Sequence, residues 1–292
     1  MTKKDVTPRS GDSMFPKGLL IAVGGNEDKE YDLEILSKIT SLVKKRTAKI
    51  EVITTASECP KETGKIYVKA FNKVGKTSVG LIHIKTREQA NDPGLLQRIK
   101  EADVIFFSGG DQLRITSTLG GSPMIEEIRR RYREETCIIA GTSAGASAMS
   151  ETMIYGGDSS EALLKGTVNI TGGIGLIDSV IIDTHFIKRG RFSRLMQMVC
   201  MNPGYIGIGL GEDTGVIIED GHLLKAIGNG LIVIVDGHHL EYTNVTSIEN
   251  GEAIAIENLR IHTIVTGHGY DLTKKEYLKP KDMENLSLRC DQ

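Results

Sequence analysis

The sequence lacks the usual marks of a metal site, a disulfide framework or a membrane protein. Its four cysteines, Cys59, Cys137, Cys200 and Cys290, form no CxxC pair, and its seven histidines include no HExxH motif. The net charge of -2 balances 36 basic against 38 acidic residues, and no apolar run approaches a bilayer span. We therefore expect reduced cysteines and no metal, and neither nucleic acid nor membrane as a partner.

The first 17 residues are basic and polar and lack the apolar core of a secretory signal. We expect residues 1–17 to form a flexible tail on a cytoplasmic protein. Hydrophobic residues make up 39% of the chain and charged residues 25%, which is typical of a globular protein. Residues 18–292 are therefore predicted to form a single α/β domain.

Short apolar runs alternate with helical patterns in the first half of the chain. Runs at 19–23, 50–53, 79–84 and 104–107 predict strands, and apolar residues at helical spacing predict a helix over 35–43. This alternation favours a mostly parallel, doubly wound sheet with helices on both faces. The loops 24–28, 109–112 and 141–145 should then converge at the carboxyl edge of the sheet, where ligands bind.

The C-terminal third has a different pattern. Apolar runs at 215–219, 223–227 and 231–235 are separated by turn-forming pairs, namely Asp220-Gly221, Asn229-Gly230 and Asp236-Gly237. We expect antiparallel hairpins here that complete the sheet.

Ser143 is the candidate nucleophile. It is the central residue of Gly141-Thr142-Ser143-Ala144-Gly145, which follows an apolar strand at 137–140 and opens a run of small residues over 142–150 that predicts a helix. This context is typical of a nucleophile elbow. The amide of Ala144 and one from the Gly109-Gly110 turn are candidate oxyanion donors. The alternative is that small residues here only permit close helix packing.

A serine nucleophile needs a base and an acid that orients it. His185 is the candidate base, because it lies just beyond an apolar run at 180–183 whose end should open on the same crevice. Glu161, Asp158 and Asp183 are candidates for the acid, and spacing alone does not choose among them. Asp183 would share a strand face with His185, which favours a place in the pocket wall.

Three arginines follow the candidate base at positions 189, 191 and 194. Arg191 and Arg194 would share the polar face of a helix. The residues alone leave two readings open, a solvated helix face or a guanidinium cluster that binds a substrate carboxylate.

Several ordered motifs are similar to those of the cyanophycinases, which belong to the S51 family of serine peptidases together with aspartyl dipeptidase. The motifs are GGNEDK at 24–29, GGDQ at 109–112, GTSAGA at 141–146, DTHF at 183–186 followed by RGRFSRL at 189–195, and GEDT at 211–214.

The resemblance implies a fold like that of class I glutamine amidotransferases, a homodimer, and a Ser143-His185-Glu161 triad. It also implies an oxyanion hole at Gly110 and Ala144. It further implies a substrate pocket formed by Asp111, Gln112, Asp183, Thr184, Arg189, Arg191 and Arg194. One position departs from the family pattern, since Thr184 stands where we associate a glutamine, and this shorter side chain would reshape the pocket.

The activity that the resemblance implies is serine exopeptidase cleavage of cyanophycin, multi-L-arginyl-poly-L-aspartate, to β-aspartyl-arginine dipeptides. The reaction would pass through an acyl-enzyme and need no cofactor. One alternative is a related S51 peptidase that acts on small aspartyl or β-aspartyl peptides. Another is a noncatalytic protein that binds a ligand in the same crevice.

Overall fold

The computed structural model of this chain describes residues 15–157, 159 and 163–290. The helices are α1 Glu34–Ser41, α2 Pro60–Val74, α3 Pro93–Glu101, α4 Gln112–Leu119, α5 Pro123–Glu134, α6 Ala144–Ser147, α7 Phe192–Met201 and α8 Pro280–Cys290. The strands up to residue 210 are β1 Leu19–Val23, β2 Ala48–Ile53, β3 Thr77–Ile82, β4 Val104–Phe107, β5 Ile138–Thr142, β6 Thr152–Gly156, β7 Asn169–Gly172, β8 Val180–Asp183 and β9 Ile206–Leu210. The later strands are β10 Thr214–Glu219, β11 Leu223–Gly228, β12 Ile232–Asp236, β13 Tyr242–Thr243, β14 Ile256–Glu257, β15 Arg260–Ile264, β16 Gly269–Asp271 and β17 Glu276–Leu278.

The main sheet has nine strands in the order β17-β16-β11-β10-β1-β5-β4-β2-β3. Strands β1, β5, β4, β2 and β3 run parallel, and the other four extend the sheet in antiparallel fashion. Successive side chains of β1 point to opposite faces, so Leu20 joins one core and Ile21 the other. Helices α3 and α5 cover the first face, and α1 and α2 cover the second. The predicted doubly wound α/β fold is confirmed.

The antiparallel extension was predicted correctly for two of its three runs. Strands β10 and β11 form a hairpin in the main sheet, with Asp220 and Gly221 at φ 51° and 68° in its turn. The third run does not complete the main sheet. Strand β12 instead pairs with β9 and β15 in a second sheet of order β15-β12-β9-β8, so Asn229-Gly230 carries the chain from one sheet to the other.

The second sheet lies between the main core and α7. Ile182, Ile208 and Ile234 belong to the core that they share with the main sheet. On the opposite face, Leu195 and Val199 of α7 pack with Ile181, Val233 and Val235 of these strands. This packing fixes the second sheet against the first.

A backbone hydrogen bond joins the sheets at the carboxyl ends of β1 and β8. The amide of His185 donates to the carbonyl of Gly24 at 2.8 Å, and within the second sheet the amide of Phe186 donates to the carbonyl of Leu210 at 3.0 Å. The segment after β8 is therefore held beside the loop after β1. Within the described residues, no helix combines the length and the apolar character that a membrane crossing requires.

Candidate active site

Ser143 occupies a sharp turn between β5 and α6. Its backbone has φ 52° and ψ -114°, a conformation that costs an L-residue of the order of 1–3 kcal/mol and is typical of a nucleophile elbow. Gly145 allows the following helix to approach, because a Cβ there would lie 2.4 Å from the carbonyl oxygen of Phe107. Helix α6 is shorter than the predicted run over 142–150, since it ends at Ser147. The strand-turn-helix context of Ser143 is present.

His185 lies directly against this serine. The distance from Ser143 Oγ to His185 Nε2 is 2.9 Å, which is a hydrogen bond between two groups 42 positions apart in the chain. Gly25 makes room for the imidazole, because a Cβ at this residue would lie 2.5 Å from Nε2 and its φ of +97° disfavours any other residue. The two side chains that the sequence paired as nucleophile and base are thus in contact.

Glu212 contacts the other nitrogen of the imidazole. Its Oε1 lies 2.7 Å from His185 Nδ1, and its Oε2 accepts hydrogen bonds from Lys188 Nζ at 3.1 Å and Asn26 Nδ2 at 3.2 Å. Ser143, His185 and Glu212 therefore form a continuous hydrogen-bonded line, in the arrangement of a nucleophile, a base and an orienting acid.

The electrostatics of Glu212 keep it ionised. Partial burial raises its pKa, but the hydrogen bonds from His185 and Lys188 outweigh this and hold the pKa below the ordinary value of 4.5. Because the folded pKa is the lower one, these contacts contribute fully to stability above about pH 4.5. That contribution is lost as the pH falls through the folded value.

Sequence reasoning did not consider Glu212 as the acid. Of the candidates it named, Glu161 and Asp158 lie outside the described residues. Glu212 stands two positions beyond the end of β9, so the rule that strand ends open on the crevice was the available signal. It was missed because β9 had not been predicted as a strand.

Asp183, the third candidate acid, has different partners. Its carboxylate is 1% exposed and accepts hydrogen bonds from Arg194 Nε at 2.6 Å and Arg191 Nη1 at 3.1 Å. Arg194 is itself 5% exposed, so it belongs to a buried ion pair. It therefore lies neither on a solvated helix face nor in the pocket as a free guanidinium. Arg189 is exposed. The structure therefore separates the three arginines into two that hold Asp183 and one at the surface.

The predicted oxyanion donors lie on loops beside the nucleophile. A Cβ on Gly109 would be 3.8 Å from Ser143 Oγ, so this loop runs along the serine. Gly110 has φ +141°, and a Cβ there would overlap the carbonyl oxygen of Ala56 at 2.1 Å, so only glycine fits. Ala144 opens α6, where the first amides of a helix have no partner within the helix.

A cavity of about 400 Å³ opens at Ser143. Its lining includes Asn26 after β1, Gly109 and Gly110 after β4, and Ser143 after β5, which confirms that the three loops converge at one edge of the sheet. In the part of the chain that the structure describes, no three His, Cys, Asp or Glu side chains are grouped so that they could hold a metal ion.

Three other predicted pocket residues make contacts within the protein. Asp111 caps α4 by accepting from the amide of Leu113 at 2.8 Å, and Gln112 donates to the carbonyl of Ile154 at 3.0 Å. Thr184 is buried, with its hydroxyl 3.5 Å from Ser147 Oγ. Asp111 is nevertheless exposed and Gln112 half-buried, so both can also face solvent or a ligand.

Replacing Asp183 tests whether the buried ion pair is structural. Asp183→Asn leaves the guanidinium of Arg194 buried without a counter-charge, so we expect the free energy of unfolding to fall by about 3 kcal/mol in urea titrations. The control Glu101→Gln breaks an exposed pair with Lys49 and should cost less than about 1 kcal/mol. Equal losses in the two variants would contradict this account of Asp183.

The sequence and the structure were compared with those of known proteins. The family model described as peptidase family S51 matches residues 19–226. The chain is 35% identical over 256 residues to a cyanophycinase of Synechococcus elongatus, covering 88% of this chain and 80% of that protein. It is 34% identical over 263 residues to a cyanophycinase of Geminocystis herdmanii, covering 90% of this chain and 96% of that protein.

A solved structure described as a peptidase from an acI-B1 Actinobacterium has a similar fold. It aligns with a TM-score of 0.68 and 21% sequence identity, covering 88% of this chain and 98% of that one. The fold is accordingly the class I glutamine amidotransferase-like arrangement that the sequence predicted. Since the family model spans most of the chain and several relatives exceed 30% identity, this protein belongs to peptidase family S51 and is a hydrolase.

Proposed function

We propose that this protein is a serine exopeptidase that hydrolyses cyanophycin to β-aspartyl-arginine dipeptides. The observation that carries the proposal is the line from Ser143 Oγ through His185 to Glu212, with distances of 2.9 and 2.7 Å. This line lies in a chain whose S51 relatives in two cyanobacteria are cyanophycinases. A serine, a histidine and a carboxylate in this order are the groups that acyl transfer requires.

In the proposed mechanism, His185 is the general base. The Glu212 carboxylate accepts a hydrogen bond from Nδ1–H, and this fixes the tautomer in which Nε2 carries the lone pair. Nε2 takes the proton of Ser143 as its oxygen attacks a backbone aspartyl carbonyl of the polymer. The ionised Glu212 stabilises the imidazolium that results.

The tetrahedral oxyanion is held by the amides of Gly110 and Ala144, which lie on the two loops beside the nucleophile. His185 then donates its proton to the leaving amine, and the carbonyl re-forms as an acyl ester on Ser143. Water, deprotonated by His185, attacks this ester and releases the dipeptide. In this mechanism the same side chains carry out both the acylation of Ser143 and the hydrolysis of the acyl-enzyme.

The substrate carries a guanidinium and a carboxylate on every residue, so recognition is charge-based. We propose that Asp111, Gln112 and Arg189 contact these groups, because Asp111 and Arg189 are exposed and Gln112 is only half-buried. A hydrogen-bonded network behind the pocket wall fixes the shape of that wall. Its members are Asp183, Thr184, Arg191 and Arg194. Thr184 distinguishes this wall from one that carries a glutamine.

The substrate proposal is tested by incubating the purified protein with cyanophycin and identifying products by mass spectrometry. The wild type should release β-aspartyl-arginine, and Ser143→Ala should lower turnover by several orders of magnitude, because the nucleophile is removed. Cleavage of short β-aspartyl peptides without cleavage of cyanophycin would favour the small-peptide alternative. Cleavage of neither would favour the noncatalytic one.

The orienting acid is tested by three matched variants. Glu212→Gln removes the charge and disturbs the tautomer of His185, so we expect kcat to fall by about 10²- to 10⁴-fold with an unchanged circular dichroism spectrum. Glu161→Gln and Asp158→Asn should stay within about threefold of the wild type, because Glu212 already orients His185 and neither carboxylate is needed for that role. A larger loss in Glu161→Gln than in Glu212→Gln would reverse the assignment.

We further propose that the protein is a cytoplasmic homodimer with one catalytic domain over residues 18–292. This proposal rests on the resemblance to the family. Light scattering of the purified protein should give twice the chain mass of 31.8 kDa. A mass equal to one chain would refute the dimer.

A further inference from the structure

A lysine stands in the wall of the cavity that contains the nucleophile. Lys29 and Ser143 line the same cavity, and the ammonium of Lys29 lies 5.4 Å from the centre of the Tyr67 ring. Its Nζ donates to the backbone carbonyl of Glu27 at 2.8 Å and lies 3.1 Å from Glu27 Oε1. The side chain is 23% exposed, so the cation is partly desolvated but still open to the cavity.

Glu27 is the residue that holds this ammonium. Its carboxylate is 1% exposed, and besides Lys29 it accepts hydrogen bonds from the hydroxyls of Tyr67 and Thr142, both at 2.5 Å. Burial and the neighbouring carboxylate raise the pKa of Tyr67 well above its ordinary value, so this phenol stays a donor. Because Thr142 precedes Ser143, the same carboxylate ties the lysine to the nucleophile turn.

Hydrogen bonds of Asp28 hold the loop that carries Lys29. The carboxylate of Asp28 accepts hydrogen bonds from the amides of the next residues, including Glu30 at 2.8 Å and Leu33 at 2.9 Å. These backbone donors hold the pKa of Asp28 well below its usual range. The amide of Asp28 in turn donates to Asp213 Oδ1 at 3.0 Å, next to Glu212. Lys29 is therefore fixed in place before a substrate arrives.

The ammonium retains binding capacity that the protein does not use. An ammonium has three donors, and two of those of Lys29 are directed at Glu27. Glu27 is buried and already has three donor partners, so it does not face the cavity as a site for a substrate cation. Among the described residues that line this cavity, Glu27 is the carboxylate and Lys29 is the one Lys or Arg side chain. Lys29 is thus the cation that the cavity offers to a substrate anion.

We propose that Lys29 binds a carboxylate on the substrate residue adjacent to the bond that Ser143 attacks. This inference rests on the proposed function, because on cyanophycin that group is the α-carboxylate of an arginine joined to the backbone aspartate. The contact is a charge-assisted hydrogen bond at a partly desolvated position, where such bonds are stronger than at an open surface. It would select substrates that carry a carboxylate at this position over those with a neutral group.

A purely structural role for Lys29 is the competing explanation. In that case the lysine only neutralises Glu27, and its removal would lower stability and turnover without regard to the substrate. The two roles are separated by removing the charge of the substrate as well as that of Lys29. Only a direct contact makes the effect of one change on binding depend on whether the other has been made.

The experiment uses a synthetic trimer of β-aspartyl-arginine and the same trimer in which only the arginine α-carboxylate adjacent to the attacked bond is replaced by a carboxamide. Dissociation constants are measured by calorimetry in the Ser143→Ala background, and kcat/KM is measured with Ser143 present. With Lys29, the carboxamide should bind about tenfold more weakly. With Lys29→Met, the acid trimer should lose about tenfold in affinity and in kcat/KM, mainly through KM, and the two trimers should become equivalent.

Lys69→Met is the matched control, because Lys69 is an exposed lysine of α2 that does not line the cavity at Ser143. It should keep the tenfold preference for the acid trimer. Retention of that preference in Lys29→Met, or failure of either trimer to bind, would overturn the proposal for Lys29. Binding with the expected preference but no hydrolysis by the unmodified enzyme would instead contradict the proposed function alone.

Discussion

The active site depends on the packing of two β-sheets against each other. Ser143 follows β5 of the main sheet, whereas His185 and Glu212 follow β8 and β9 of the second sheet. The 2.9 Å contact between serine and histidine is therefore an inter-sheet contact. It is secured by the backbone bond from the His185 amide to Gly24 and by the apolar side chains that the two sheets share.

This docking also sustains local strain. Ser143 and His185 both have positive φ, at 52° and 49°, and such conformations cost of the order of 1–3 kcal/mol each in L-residues. Gly25 supplies the space that the imidazole needs against the loop after β1. Burial of the shared apolar core offsets these costs, so the catalytic geometry is a product of packing at a distance from the reacting atoms.

The sequence predicted those parts of the site that local patterns determine. Ser143 was recognisable because the elbow is a contiguous strand-turn-helix, and His185 because it follows an apolar run. Glu212 was not found, since it lies 27 positions from His185 and meets it only when β8 and β9 pair in the second sheet. The run that became β12 was assigned to the wrong sheet, because apolar alternation is the same in either sheet. For Arg194 the residues left open a solvated helix face or a substrate-binding guanidinium, and its buried pair with Asp183 was not predicted, because Asp183 lies 11 positions away on a strand.

The central claim is that Ser143 is a nucleophile activated through His185 and Glu212. The most direct measurement is stoichiometric labelling with a fluorophosphonate, followed by peptide mapping and assay of the labelled enzyme. We expect one label per chain, located on Ser143, loss of activity in proportion to labelling, and much slower labelling in His185→Ala. Labelling at another side chain, or full hydrolysis by enzyme whose Ser143 is modified, would contradict the account.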